Sequence, residues 1–306
     1  MAVVGEGGSR MESPLVTVVI PVYNDADRLA HCLGALVDQT YPGDRLEILV
    51  VDNGSEDHIE EVVDRFDHVR LLVEPRQGSY SARNRGIRNA SGEIIAFTDA
   101  DCVPSSTWVE RGVSHLVRDP VIGLVGGRID VLADDPQDPN GVELADIIIS
   151  FQQRRFIEEL RFAATASVFT RKAVFDRVGF FDEALMSGGD RDWGARVDDA
   201  GYQLVYADDV VITHPARRSL RQLYARSKRL HAGARDHRSS SGSGFPAGDF
   251  LRSLVPPFGT AWRLYEDKRI PSRWSWVRLV AVLTMMRLMR AWFTLRFAFG
   301  GGSPRH

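Results

Sequence analysis

Cysteine is nearly absent from this chain: there are two in 306 residues, Cys32 and Cys102. Both fall within or beside apolar strand and helix patterns. That excludes a disulfide framework and a cysteine-rich zinc site, and it fits a reducing compartment, read here as cytoplasmic. Long apolar runs are lacking too. The longest charge-free run of the C-terminal tail is LVAVLTMM, well short of the roughly 20 residues that a membrane-spanning helix needs. The opening MAVVGEGGSRMESP has glycine, serine and mixed charge but no apolar signal-peptide core, so 1–13 reads as a frayed tail. No recognised nucleic-acid-binding motif is present, and no nucleic-acid partner is expected.

What is present is an ordinary globular composition, with 44% hydrophobic and 26% charged residues, enough for one large domain or two small ones. The net charge of -3 hides an asymmetry. Residues 217–306 hold 18 Lys/Arg against 4 Asp/Glu, whereas residues 1–216 hold 20 against 37. An acidic front and a basic back suggest different tasks, the basic part being suited to anionic lipid, a diphosphate or nucleic acid.

Along the chain, VTVVIPV (Val16–Val22) reads as a buried strand ended by a YND turn. Asp25 is placed to cap an amphipathic helix to about Asp38, with Leu29, Cys32, Leu33 and Leu36 on one face. LEILVVD is a second strand ending in DNGSED, IEEVVDRF a short helix, and VRLLVE a third strand. GSYSARNRGIRNA is a helix opened at Gly78, and EIIAFTD a fourth strand. This alternation predicts a parallel α/β sheet with helices on both faces, whose ligands sit beyond the carboxyl ends of the strands. Tyr23, Asn24, Asp52, Asp99 and Asp101 all fall there.

The pivotal stretch is FTDADC, with Asp99 and Asp101 two residues apart at a strand end. Such carboxylates either converge on Mg2+ or Mn2+ beside substrate phosphates or shape a turn before the next helix. Tyr23 and Asn24 either form a turn or offer an aromatic ring on which a base stacks. Asp52 either makes an Asx-turn or accepts from a nucleobase imide or ribose hydroxyl. Arg83 and Asn84 are either solvated helix residues or contacts to a nucleotide or sugar.

The set VVIPVYND, VVDNGSED, GSYSARNRGI and FTDADC, in order and in register over residues 16–104, resembles the family 2 glycosyltransferases of GT-A fold. The resemblance implies an α/β protein with a Rossmann-like, mostly parallel sheet, helices on both faces and a helical C-terminal extension. It implies a nucleotide-sugar donor of UDP, GDP or dTDP type, held by Pro21, Tyr23, Asn24, Asp52, Gly78, Arg83, Asn84, Asp99 and Ala100. Asp52 would read the base and Asp99 would lie near the ribose or sugar. Asp101, with Asp99 and His214, would hold Mn2+ or Mg2+ on the diphosphate. Domains are expected at 14–216, divided into a nucleotide-sugar half at 14–104 and an acceptor half at 105–216, with a basic helical extension at 217–306.

In the middle of the chain VIGLVGGRIDVL is a strand interrupted at Gly126-Gly127, where backbone can approach a ligand, and VELADIIISFQQRRFIEEL a long helix. The VGFFDE turn resembles the family's segment beneath the acceptor pocket. SGGDRDWGARV resembles its Glu-Asp-x-Asp-Leu-x-x-Arg helix start, with Gly189 where the family has Glu and Trp193 where it has Leu. The match assigns the general base to Asp190, whose plainer role is a helix cap, and puts Asp192, Trp193 and Arg196 on the acceptor side. Asp192 lies one turn before Arg196 and is expected to pair with it. Inverting transfer needs such a carboxylate to take the acceptor proton. His214 is either structural or a ligand to metal or diphosphate, and Arg217 and Arg218 either attract the diphosphate or are surface charges.

Arg217–Arg238 reads as a basic helical segment and SSSGSG as a flexible linker. The aromatic and apolar tail, residues 274–299, is expected to lie on the inner membrane surface with Trp, Phe and Arg at headgroup level, or else to pack on the catalytic domain. The expected enzyme transfers sugar to a cell-envelope or lipid-linked saccharide. One alternative is a nucleotidyltransferase making nucleotide sugars, which would want a glycine-rich phosphate loop where IPVYNDADR has no glycine. Another is a non-catalytic nucleotide-sugar or saccharide-binding protein, for which the lost Glu speaks.

Overall fold

The computed structural model describes residues 13–240 and 247–298, and apolar runs organise its first half. β1 (Val16–Val22) is almost wholly buried, as a strand covered on both faces must be. Its side chains alternate. Val16, Val18, Ile20 and Val22 share a core with Leu29, Cys32, Leu33 and Leu36 of α1 (Ala26–Val37), while Val19 joins the core of the opposite layer. β2 (Leu46–Asp52), α2 (Ile59–Val63), β3 (Val69–Val73), α3 (Ser79–Asn89) and β4 (Ile94–Phe97) continue the alternation. β3, β2, β1 and β4 pair in parallel, in that order. Gly86 lets α3 lie against this sheet, because a Cβ there would run into the Val19 side chain.

Beyond β4 the sheet becomes mixed. The chain continues through β5 (Val103–Pro104), α4 (Trp108–Val117), β6 (Ile122–Leu132), α5 (Gly141–Ile149) and α6 (Gln153–Glu158). β7 (Val168–Arg171), α7 (Lys172–Val178), α8 (Gly189–Asp199) and β8 (Gln203–Pro215) follow. β7 is antiparallel to both β4 and β6, and β8 is parallel to β6. Two reversals restore the direction, so β8 ends on the same sheet edge as β1, β2 and β4. β5 pairs antiparallel with the last part of β8, Val103 opposite Thr213. That register brings the segment just before β5, which is FTDADC, against the end of β8.

Three local expectations are corrected. Asp25 stands at the start of α1 but caps no backbone N–H; its carboxylate accepts from Arg28 Nε at 2.7 Å, and the Ala26 N–H goes to Asp57. The expected long helix over 142–160 is two helices. At the break Phe151 has a positive φ of 41°, and the Gln153 side chain turns inward onto the Ala164 and Ser167 carbonyls and the Ala164 N–H. β6 runs on through Gly126 and Gly127, but its pairing with β8 shifts register between Gly127 and Arg128. The room their missing side chains leave is taken by Ile157, Ala163, Ser167 and Val210 of the protein itself, not by a ligand.

The C-terminal extension forms α9 (Leu220–Ser240), α10 (Ala247–Leu254), α11 (Phe258–Arg263) and α12 (Arg273–Ala298). Leu279 and Leu283 of α12 bury against Leu144, Ala145 and Ile148 of α5, and Phe293 meets Ala232 of α9. A Cβ on Gly141 would come within 2.8 Å of the Arg278 carbonyl, so α12 is seated closely. One face of α12 therefore packs on the rest of the chain. Among the described residues no helix is long and apolar enough to cross a membrane. Residues 1–12 of the tail expected at 1–13, residues 241–244 of the expected linker and residues 299–306 of the expected extension lie outside the described residues.

Candidate functional site

The site is assembled at the edge where β1, β2, β4 and β8 end. At the β2 end, Asp52 Oδ1 accepts the Ser55 N–H at 3.0 Å, a turn bond that reaches one residue beyond the expected Asx-turn. Asn24 adopts φ 51° and locks the adjoining loop: its N–H donates to Ser55 Oγ and its Oδ1 accepts from the Glu56 N–H. Tyr23 beside it leaves its ring exposed, and Pro21 lies in β1 opposite Val51. Asn53, which the sequence reading passed over, ties three segments together. Its Nδ2 donates to the Glu74 and Arg76 carbonyls, and its Oδ1 accepts from the Gly78 N–H. Gly78 opens α3 at φ 133°, a value that side chains rarely allow.

Asp99 and Asp101 do not converge with each other. The turn through buried Ala100 sends them to different partners. Asp99 Oδ1 accepts from Arg83 Nη2 at 2.5 Å, and Arg83 is itself buried, with its Nε lacking a partner. Asp101 Oδ2 lies 3.3 Å from His214 Nε2 and 3.8 Å from Arg28 Nη1. Burial raises the Asp101 pKa, but the His214 hydrogen bond and the charges of His214, Arg28 and Arg217 outweigh it and hold the carboxyl at about 2. His214 is buried, rests its ring against Phe151 at 4.7 Å, and has a buried Nδ1 without a partner.

A cavity of about 360 Å3 opens beside Asp101 and His214, lined also by Arg28, Arg217, Arg226 and Arg229. Arg217 is committed to the buried Asp146, and Arg218 to Asp134, so neither is the free cation the sequence suggested. Arg226 and Arg229 of α9 instead carry the excess positive charge. Burial and the charge of Arg217, with a smaller contribution from Arg229 and against the pull of Asp146, lower the Arg226 pKa to about 10. Cations crowded in this way call for an anion.

On the other flank, α8 begins at Gly189 and presents Asp190. Its Oδ1 is 3.4 Å from the Tyr80 hydroxyl, which donates to it, and accepts the Arg191 N–H at 2.9 Å. Burial raises the Asp190 pKa above the usual carboxylate value, against the Arg191 N–H and the nearby Arg83 charge. Burial and the Asp190 charge push the Tyr80 hydroxyl up to about 12, so it remains a proton donor. The Arg83 guanidinium lies 5.8 Å from the Tyr80 ring centroid. Asp99, Arg83, Tyr80 and Asp190 thus form one continuous line along the edge.

The remaining candidates turn inward. Asn84, expected to touch the donor, is 1% exposed; its amide exchanges hydrogen bonds with Phe181 and also donates to Glu183. Trp193 is also 1% exposed, stacked on Phe175 at 4.8 Å with its Nε1 donating to the Gly179 carbonyl. Arg196 pairs with Asp192 at 3.0 Å, as its spacing predicts, and donates to the Val178 and Phe180 carbonyls. These residues brace the VGFFDE turn. Trp193 is therefore closed to direct contact with an acceptor, whereas Arg196 is about one third exposed with its hydrogen bonds committed to the turn and to Asp192.

Gly189 has a spatial reason. A Cβ there would lie 2.8 Å from two Tyr80 ring carbons, and that ring is held in place by stacking on Phe181 at 5.7 Å. Gly189→Ala is therefore expected to destabilise the fold by about 1–3 kcal/mol in urea unfolding. The loss should shrink in a Tyr80→Leu background, and an equal loss in both backgrounds would contradict this account.

The glycosyl transferase family 2 model matches residues 17–179. Glycosyltransferase AglE of Haloferax volcanii is 43% identical over 209 residues, covering 67% of this chain and 68% of that protein. The pre-mycofactocin glycosyltransferase of Mycobacterium tuberculosis is 30% identical over 218 residues, which is 69% of this chain but 45% of that longer protein. Among solved structures, the mannosyltransferase PcManGT from Pyrobaculum calidifontis, in complex with GDP-Man and Mn2+, superposes with a TM-score of 0.61 at 22% identity over 92% of this chain and 88% of that one. S. aureus TarS 1-349, in complex with UDP, gives 0.55 at 14% identity over 93% and 90%. These likenesses show the fold to be of GT-A type.

Proposed function

The chain belongs to glycosyl transferase family 2 and is a glycosyltransferase; from that premise we propose that it moves a sugar, with inversion, from a nucleotide-sugar donor to a saccharide hydroxyl, Asp190 being the general base. The observation that carries the proposal is the meeting on one sheet edge of an ionised Asp101 with His214, a basic cavity and an Asp190 carboxylate accepting from Tyr80. The domain limits of 14–216 and 217–306 belong to the same proposal, with the active site drawing cations from both parts.

The donor would lie along the edge with its base by Asp52 and Tyr23 and its diphosphate toward Asp101. A GDP- or UDP-type donor is in keeping with the ligands of the two solved relatives. Asp101 and His214 fit a divalent ion of the Mg2+ or Mn2+ kind: one ionised carboxylate and one imidazole nitrogen lie side by side, leaving the other positions to phosphate oxygens and water. Among the described residues no group of three or more His, Cys, Asp or Glu is poised for a metal, and Asp99 is engaged by Arg83. The metal set is therefore proposed as Asp101 and His214. When bound, such an ion neutralises charge on the leaving diphosphate. Arg226 and Arg229 add to that neutralisation from α9.

Asp190 takes the acceptor proton on a carboxylate oxygen as the acceptor oxygen bonds to the anomeric carbon. The bond from that carbon to the diphosphate breaks, and its electron pair leaves with the nucleoside diphosphate. Tyr80 orients the carboxylate, and Arg83 favours its ionised form. The Tyr80 ring stands 2.8 Å from where a Cβ at Gly189 would lie, which supports reading glycine at this position as a packing requirement. A cell-envelope or lipid-linked saccharide is the proposed acceptor.

The test is calorimetric titration of the purified protein with UDP-, GDP- and dTDP-sugars in Mn2+, Mg2+ or EDTA. One donor is expected to bind in a metal-dependent manner, with about tenfold weaker binding in Arg226→Gln, the scale of one lost charge-assisted hydrogen bond. Absence of metal-dependent binding by every donor would remove the proposal.

A further inference from the structure

Helix α12 is apolar on two faces. One is buried: Leu279 and Leu283 against α5, and Phe293 against α9. The other is turned outward. At about 100° per residue, Trp274, Val277, Ala281, Met285, Leu288 and Trp292 fall within an arc of about 80°, on the side away from Leu279 and Leu283. Their spacing alternates between three and four residues, and the stripe runs for about 27 Å. Trp274 is 70% exposed, Leu288 53% and Trp292 57%. A helix packed on its own domain needs only one apolar face, so the second is unexplained by the fold.

We propose that this outer stripe of α12 lies on an anionic lipid surface. Charge selects that occupant. No Asp or Glu occurs in α12, and the extension from residue 217 carries 18 Lys/Arg against 4 Asp/Glu. Arginines at 273, 278, 287, 290 and 296 alternate with the apolar residues along the helix. Tryptophan at each end of an apolar face, beside arginine, suits the headgroup boundary, where an indole ring keeps one end wet. A second copy of this chain would bring two strongly cationic extensions together, which charge repulsion opposes. The stripe is a surface feature and stands independently of the transfer reaction.

The test is flotation of the full chain with phosphatidylcholine vesicles and with mixed phosphatidylcholine–phosphatidylglycerol vesicles, alongside its oligomeric state by light scattering. The expected result is binding to the anionic vesicles only, weakened by salt, with tryptophan emission shifted to the blue. The triple variant Trp274→Ser/Leu288→Ser/Trp292→Ser and the single Leu288→Glu are expected to bind about tenfold or more weakly, with wild-type thermal melts because the replaced side chains are exposed. Failure of the wild type to float with anionic vesicles overturns the proposal, as does unchanged binding by folded stripe variants. A wild-type dimer that the stripe variants turn into a monomer assigns the stripe to a second copy and overturns it as well.

Discussion

An Asp190→Asn enzyme is expected to bind its donor within about twofold of wild type and to turn over about 10²–10⁴-fold more slowly, the range a positioned general base contributes. The amide keeps the size of the side chain and can still accept from Tyr80 and from the Arg191 N–H, so geometry survives while proton acceptance does not. Steady-state turnover and donor calorimetry on the same preparation separate the two. A variant that keeps its turnover would return Asp190 to a helix-start role.

The pH dependence follows with a definite sign. Burial raises the folded-state pKa of Asp190 above 3.8, against the Arg191 N–H, the Arg83 charge from α3 and the Tyr80 hydroxyl. Turnover in the wild type therefore falls as pH drops through that raised value, on an acid limb above that of an ordinary aspartate. Folding responds in the opposite sense. The folded state holds this proton more tightly than the unfolded state, so the Asp190 contribution to stability declines as pH rises from 3.8 through the folded value. Asp190→Asn, neutral throughout, is expected to be at least as stable as wild type at neutral pH. Loss of activity together with retained or improved stability distinguishes a base from a structural carboxylate.

Asp101→Ala carries the second large effect. Removing the carboxylate takes away half of the proposed metal set and leaves His214 Nε2 and Arg28 facing the cavity without it. The expected outcome is a fall in kcat/KM of about 10²–10³-fold or more, with donor affinity no longer responding to Mn2+. Calorimetry with and without the ion reads the second quantity directly. A donor affinity that stays metal-dependent in Asp101→Ala would move the metal elsewhere, Asp99 being the next candidate once released from Arg83. Asp99→Ala serves as the comparison. Because Asp99 is bonded to Arg83, its loss is expected to disturb the line to Tyr80 more than the metal response.

Much of this site was legible in advance because it is built from chain ends of predictable elements. VTVVIPV, LEILVVD and EIIAF announce strands through unbroken apolar runs, and their terminal polar residues had to emerge at one edge of a parallel sheet. The side-chain turn at Asp52 and the Asp192–Arg196 pair were readable for the same reason, since each lies within four residues along the chain. The inward turn of Asn84 and Trp193 was not legible, because motif matching names positions without saying which way a side chain faces. Asn53 and Arg226 were passed over because each reaches its role through a contact or cavity far away in sequence. The basic pattern of 217–238 was the one available signal for Arg226.

By itself, the sequence determined the alternation of strands and helices, the edge on which the acidic residues gather, and the family to which the chain belongs. These depend on near neighbours, on periodicity and turn chemistry, and so survive in one dimension. Only the tertiary structure decided that Asp101 meets His214 and that Asp99 does not join them. The antiparallel register of β5 on β8 lays Val103 opposite Thr213, and the intervening turn sends Asp99 toward Arg83 on α3. It likewise decided that Asp190 meets Tyr80 across 110 residues of chain, that the Tyr80 ring crowds any side chain at 189, and that α12 buries one apolar face and leaves the other open. Each outcome depends on how distant elements pack, and packing is settled by the shape of the assembled core.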